Sequence, residues 1–230
     1  MIRPSKPRQT RTAEVYERIR ADIFAARLKP GQRLKFPDLC ATYETSVGVA
    51  REALVRLAAD RLVSVQAHQG YTVAELSIEQ LTDLTAARVE LEPLTFRKAI
   101  LEGDEHWESG IVATHHLLAL REQASRSSKE RDASWYAAHE DFHAALLAGC
   151  RSRRLREVTQ MLRAEAELYR HWAAPLGADV KRDLAGEHRA LADAALARDA
   201  ELGPELLHRH IACTTEILAR GISEGTEVQA

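Results

Sequence analysis

Apolar positions recur along the chain first at helical spacing, then in one short alternation, then at helical spacing again as far as residue 220. Near the start, Val15, Ile19, Ile23 and Phe24 keep the 3.6-residue period and predict a helix running to about Ala26, with Thr12 a candidate cap. Lys29-Pro30-Gly31 predicts a turn, because proline fixes φ and glycine tolerates positive φ. Pro37 opens a second short helix over Asp38 to Tyr43, and Glu44-Thr45 turns into a third. In that third helix Val49, Ala53, Leu54 and Leu57 recur as a buried face, Ser46 is placed as N-cap, and Arg51 and Arg56 project from the other side. Two short helices joined by about three residues, the second carrying arginines, is helix-turn-helix geometry.

Leu62 to Val73 alternates β-formers on both sides of a polar tip containing Gly70, which predicts a small hairpin, the wing of a winged helix. Ser77-Ile-Glu-Gln80 then reads as a capping box opening a long helix to about Leu101, closed by Gly103. Further helices are expected at about 105–125, 132–148, 152–172, 179–198 and 204–220. Gly149 and Pro175 serve as breaks, Pro204 suits a first turn, and Gly221 is the expected stop. The fold class is therefore mainly α: an N-terminal winged helix-turn-helix of three helices plus a small β-hairpin wing, followed by an all-α six-helix bundle. The divisions drawn are a basic arm (1–11), a DNA-binding domain (12–75), a helical effector-binding and dimerisation domain (76–222) and a tail (223–230).

Composition sharpens this picture in two ways. The chain has 230 residues with 45% apolar content, an ordinary globular value. Its net charge of -2 conceals an asymmetry: residues 1–75 hold 13 Lys+Arg against 8 Asp+Glu, and residues 76–230 hold 19 against 26. A polyanion partner is thus suggested for the first part alone. The three cysteines, Cys40, Cys150 and Cys213, form no CxxC pair, so neither a disulfide framework nor a thiolate zinc site is indicated, and a reducing cytoplasm is expected. No apolar run reaches the roughly 18 residues of a membrane span, and Met-Ile-Arg-Pro-Ser-Lys-Pro-Arg lacks the apolar stretch of a signal peptide.

Ten histidines are many for this length, and four are placed suggestively. His139 and His143 stand four apart and share a helix face, a two-ligand arrangement for a metal. His188 and His210 fall on the last two expected helices; if the bundle brings those faces together, three or four imidazoles converge. His68, His106, His115, His116, His171 and His208 read as ordinary packed or surface residues.

Ile23, Leu28-Lys29-Pro30-Gly31, Leu34, Leu39, Ser46, Arg51-Glu52-Ala53-Leu54, Leu57, Leu62-Val63 and Gly70 fall in the order and spacing of the GntR superfamily of bacterial repressors, which the N-terminal part resembles. Two departures stand out. Val47 replaces an arginine that members carry after the turn serine, and Gln69 replaces a basic residue before the wing glycine. Residues 77–220 resemble the FCD effector domain of the FadR-like branch, through Arg88-Val-Glu-Leu-Glu92, Phe142-His143, Glu187-His188 and His210-Ile211.

The resemblance implies a ligand-responsive transcriptional regulator, a repressor, binding a pseudo-palindromic DNA operator as a homodimer. Its DNA contacts would come from Lys35, Ser46, Val47, Gly48, Arg51, Arg56, Gln69 and Gly70, with further phosphate contacts from the basic arm. It also implies a divalent metal in the bundle core, held by His139, His143, His188 and His210, with a small organic acid as effector. His139 stands where the family has an aspartate, and the all-nitrogen set favours zinc or nickel, with copper and cobalt also suited, over manganese or magnesium. Asp141 is an alternative oxygen donor, although it points to a different helix face. Cys150 stands where many relatives have an asparagine. Arg88 reads either as a bidentate clamp for the effector carboxylate or as a structural ion pair with Glu92. Two other classes stay open: a metal sensor in which the ion is the signal, and a metalloenzyme with Glu140 or Glu187 as base. Against the latter, no glutamate is placed as in HExxH.

Overall fold

The computed structural model describes residues 10–66, 70–128, 131–173 and 182–227. Residues 1–9 of the expected arm, His68 and Gln69 of the wing tip, and Pro175 lie outside the described residues. The chain divides into two compact units, residues 1–77 with Glu167–Trp172, and Ile78–Ala166 with residues 173–230.

The first unit opens with α1 (Arg11–Phe24). Its N-cap is Thr10, whose hydroxyl accepts from the Ala13 amide at 3.3 Å, rather than Thr12. Thr12 instead donates to Glu52 Oε2 at 2.8 Å, a long-range contact invisible to local pattern. Arg11 is likewise part of the helix and not of an arm. Its guanidinium donates to the carbonyl oxygens of Tyr43 at 3.1 Å and Glu44 at 2.8 Å, satisfying acceptors that the end of the next helix leaves open. That helix, α2 (Phe36–Tyr43), has Pro37 in its first turn and stops at Glu44, which takes a left-handed φ of 50°. The third, α3 (Val47–Ala59), is capped by Ser46 Oγ accepting from the Val49 amide. Its buried positions are Ala50, Ala53, Leu54 and Leu57, so Ala50 takes the place expected of Val49, which is only partly buried.

The strands are β1 (Arg33–Leu34), β2 (Val63–Gln66) and β3 (Gly70–Val73), in the antiparallel order β1-β3-β2. The hairpin β2–β3 is the wing, and Gly70 sits across from Gln66 with φ of 87°, a conformation that favours glycine. The two-residue β1 was not expected. It is too short to show an alternation, and pairing Arg33 with Thr72 and Leu34 with Tyr71 creates it. Val15, Ile19, Ile23, Leu39, Leu54, Leu57, Leu62 and Val73 form the core.

The second unit contains α4 (Ile78–Glu102), α5 (Glu105–Ser128), α6 (Ala133–Ala148), α7 (Arg153–Ala173), α8 (Leu184–Leu196) and α9 (Leu202–Glu227). The end of α7 is the exception: Leu168 joins the first unit's core and the Trp172 indole donates to Ile23 O at 2.8 Å. Around Phe96, Ile111, Leu118, Trp135, Phe142, Leu146, Leu191 and Ile211 the bundle closes one core, which also takes in Cys150. Gly149, after α6, is required by packing rather than by φ: a Cβ there would lie 2.7 Å from Ala99 O and 3.0 Å from the Trp107 ring. Pro93 lies inside α4 and cannot donate to Val89 O; His208 Nδ1 stands 3.4 Å from that oxygen.

Gly221 does not end the last helix. α9 continues to Glu227, so residues 223–227 are helix rather than tail. A glycine inside a helix costs only about 1 kcal/mol, which the burial of Ile217 and Leu218 in the preceding turn offsets.

Candidate metal centre and nucleic-acid interface

The i, i+4 spacing of His139 and His143 puts both on the inner face of α6, their rings 4.5 Å apart between centroids. α8 contributes His188 and α9 contributes His210, at centroid distances of 5.3 and 4.9 Å from His143. All four are buried, none more than 6% exposed. Each offers a ring nitrogen, and these four nitrogens lie within 4.8 Å of one another. Bonds of about 2.1 Å place ligand nitrogens about 3.4 Å apart in a tetrahedron, or about 4.2 Å apart across an octahedron, so small rotations close the set on one ion. Asp141, on the exposed side of α6, is not in the cluster.

Hydrogen bonds on the outer side of the rings fix which nitrogen faces inward. His188 Nδ1 is 2.6 Å from Glu122 Oε1 on α5, and His210 Nδ1 is 2.8 Å from Glu187 Oε2 on α8. A carboxylate can only accept, so each Nδ1 carries the proton and each Nε2 keeps its lone pair. Nε2 of His188 and of His143 are buried and meet no hydrogen-bond partner in the protein. A buried acceptor left open in this way costs about 1–3 kcal/mol, and a cation among the rings removes that cost. The donor set therefore fits a divalent metal.

Electrostatics agree. Burial, reinforced by the neighbouring histidines and Arg163, holds His143 well below the ordinary imidazole range. Burial also takes His210 down to about 3, despite the opposing Glu187 hydrogen bond. Both rings are thus neutral, the ligating form, at pH 7. Burial alone would raise Glu187, but hydrogen bonds from Arg182 and His210 prevail and hold it at about 2. Arg182 grips that carboxylate with two bonds, Nε to Oε1 at 2.7 Å and Nη2 to Oε2 at 2.6 Å, and donates to Thr214. Trp135 stacks on His139 at 4.9 Å and 22°.

Sequence reasoning missed Glu122 and Arg182 and saw Glu187 only as a possible base. Nothing local marks Glu122, which lies 66 positions from its histidine. Glu187 precedes His188 yet serves His210, as successive residues on a helix face different ways. Arg88 pairs with Glu92, Nε to Oε1 at 2.6 Å, with both side chains buried. The ion-pair reading of Arg88 is present in the structure.

Ser46, Val47, Gly48 and Arg51 are exposed at the N-terminal turn of α3, Lys35 is exposed at the start of α2, and Gly70 opens β3 on the wing. Val47, an apolar residue, is 48% exposed there. Arg51 lies over the Phe36 ring at 4.8 Å. Arg56, two turns from the N-terminal end, lies over Tyr16 at 4.4 Å, and the Tyr16 hydroxyl donates to Asp60. Gln69 falls outside the described residues.

Comparison with known proteins gives a consistent result. The family described as "Bacterial regulatory proteins, gntR family" matches residues 11–73, and "FCD domain" matches residues 83–212. The HTH-type transcriptional regulator BphR of Paraburkholderia xenovorans (strain LB400) is 39% identical over 204 residues, 88% of this chain and 83% of that protein. The HTH-type transcriptional repressor GlaR of Escherichia coli (strain K12) is 33% identical over 211 residues, 90% of this chain and 96% of that one. Among solved structures, a GntR transcriptional regulator from Rhodococcus sp. RHA1 superposes with a TM-score of 0.70 at 25% identity, over 91% of this chain and 98% of that one. Escherichia coli McbR/YncC shares the fold, with a TM-score of 0.73 at 22% identity over 93% and 99%.

Proposed function

The chain belongs to the GntR family of bacterial regulatory proteins and carries an FCD domain after its helix-turn-helix, and from that premise we propose a metal-dependent, ligand-responsive repressor. The transcriptional regulator is the family's shared property, and its members are not enzymes. The proposal adds that the chain binds a pseudo-palindromic operator as a homodimer, and that a small organic acid beside a divalent metal sets its DNA affinity. The observation that carries it is the four buried imidazoles with their nitrogens within 4.8 Å of one another.

His139, His143, His188 and His210 would hold the ion, zinc or nickel on the preference of an all-nitrogen set. The metal would supply a Lewis-acidic anchor for an oxygen of the effector. Arg88 is the candidate second anchor for a carboxylate: its guanidinium is buried on α4 and is already paired with one carboxylate, that of Glu92, which an effector acid would have to share or replace. On the DNA side, Arg51 and the open N-terminal turn of α3 would read the major groove, with Lys35, Ser46 and Gly70 on the phosphates. Arg56, Val47 and Gln69 complete the proposed interface. An effector acts only by binding one dimer geometry better than another.

A second reading is favoured by one specific feature. Four histidines satisfy a tetrahedral ion completely and leave no position for an acid, so a bound zinc would itself be the signal. An octahedral ion such as nickel keeps two positions open. Operator affinity, measured against free zinc and free nickel with and without a panel of small carboxylates, separates these cases. Ligand response is supported if an acid shifts the affinity of the metal-loaded protein. It fails if metal alone accounts for the whole change, and the metal-dependent reading fails if neither has any effect.

A further inference from the structure

We infer that Glu122 is a positioning residue for the metal centre, and that the outer carboxylates supply the negative charge that the inner ligand set lacks. The inference rests on the proposed four-histidine site and centres on Glu122, which the sequence did not reveal.

A carboxylate among the ligands brings charge to the ion directly. Four neutral imidazoles bring none, and a dication surrounded only by neutral groups in a buried site carries a large desolvation penalty. In this chain the compensating charge stands behind the rings. Glu122, side chain 10% exposed, reaches from α5 to within 2.6 Å of His188 Nδ1. Glu187 does the same for His210 at 2.8 Å. Each makes a carboxylate–imidazole pair that locks the tautomer, aims Nε2 inward and raises its basicity.

The two carboxylates are not equivalent. Glu187 is gripped by Arg182, which neutralises much of its charge and fixes its orientation. Glu122 is hydrogen-bonded to His188, and the Arg131 guanidinium interacts with it through its charge rather than by the two-point grip that holds Glu187. Glu122 thus turns its hydrogen-bonding oxygen to His188, whereas both oxygens of Glu187 are also held by Arg182. His188, which Glu122 backs, is fully enclosed, at 0% exposure.

The test is zinc affinity of the full-length protein, by competition with a chromophoric chelator, in wild type and in Glu122→Gln. The amide keeps the size and can still accept from Nδ1–H, but removes the charge. Affinity is expected to fall about 10- to 100-fold, the range seen when such outer partners are lost. Thermal melting of the metal-free forms provides the control, since a positioning role toward the ion leaves the metal-free variant within about 2 °C of wild type. Equal zinc affinity in the two proteins overturns the inference. An equal loss of metal-free stability overturns it as well, because Glu122 would then act only as scaffold. A wild type that takes up no zinc, nickel or cobalt removes the four-histidine reading itself, and that outcome is distinguishable because it appears before any substitution is made.

Discussion

Gly48 occupies the first turn of α3, where an alanine should make the folded unit more stable and yet a poorer binder of DNA. A Cβ built there comes no closer to the rest of the protein than 3.9 Å, to Ser46 Oγ, so no packing requires a glycine. No positive φ requires it either, as Gly48 is absent from the residues with that conformation. Replacing an unneeded helical glycine by alanine stabilises by about 0.4–1 kcal/mol, mainly by restricting the unfolded chain. For a unit of under a hundred residues this is a rise of about 2–8 °C in melting temperature. At the duplex the same methyl is an overpacking change, costing about 1–3 kcal/mol, or roughly 5- to 150-fold in operator affinity. The assays are calorimetry on Gly48→Ala and fluorescence anisotropy on a duplex first selected from a random pool with the wild-type protein. A stabilised variant with unchanged affinity would remove Gly48 from the DNA contacts, and a destabilised variant would refute the open-space argument.

Arg51→Ala should weaken operator binding by about 1–3 kcal/mol if the guanidinium leaves Phe36 for a guanine edge, and unchanged anisotropy would take it off the list. Arg56→Ala should lower stability by about 0.5–1 kcal/mol through the lost Tyr16 stack and weaken operator binding as well, and an unchanged affinity would remove Arg56 from the proposed interface. The metal-free protein should lose stability as pH falls below 6.5. His143, His171 and His210 take protons in the unfolded chain near that value but in the folded chain only far below it, His171 and His210 at about 3. The slope is about 1.4 kcal/mol per pH unit for each such histidine, and a flat urea midpoint between pH 7 and 5 would contradict this. Chelating a metal present at a thousand times its Kd should remove about 4 kcal/mol, or some 8–16 °C of melting temperature; no shift would mean that the ion is not bound to the folded state.

What the chain reveals locally it reveals well. Ser46 before the Ala53, Leu54 and Leu57 spacing gives the recognition helix its start, since cap and buried stripe are both properties of neighbours in sequence. The His139–His143 pair is legible for the same reason, as four residues make one helical turn. Features that depend on partners far along the chain are hidden. Thr10 and Thr12 are chemically equal candidates for a cap, and only the reach of Thr12 to Glu52 separates them. The strand at Arg33–Leu34 exists because β3 passes beside it. Gly221 carries a stop signal that is real but weak, and helix packing overrides it. The charge balance of the metal centre is the clearest case, because Glu122 and Arg182 are ordinary surface-type residues until folding carries them against His188 and Glu187.

Elemental analysis by mass spectrometry, on untagged wild type and on His188→Ala prepared alongside, tests the four-histidine centre most directly. About one zinc or nickel per wild-type chain is expected, and a small fraction of that in the variant. A wild type that is metal-free and resists reconstitution, or a variant with undiminished content, would contradict it.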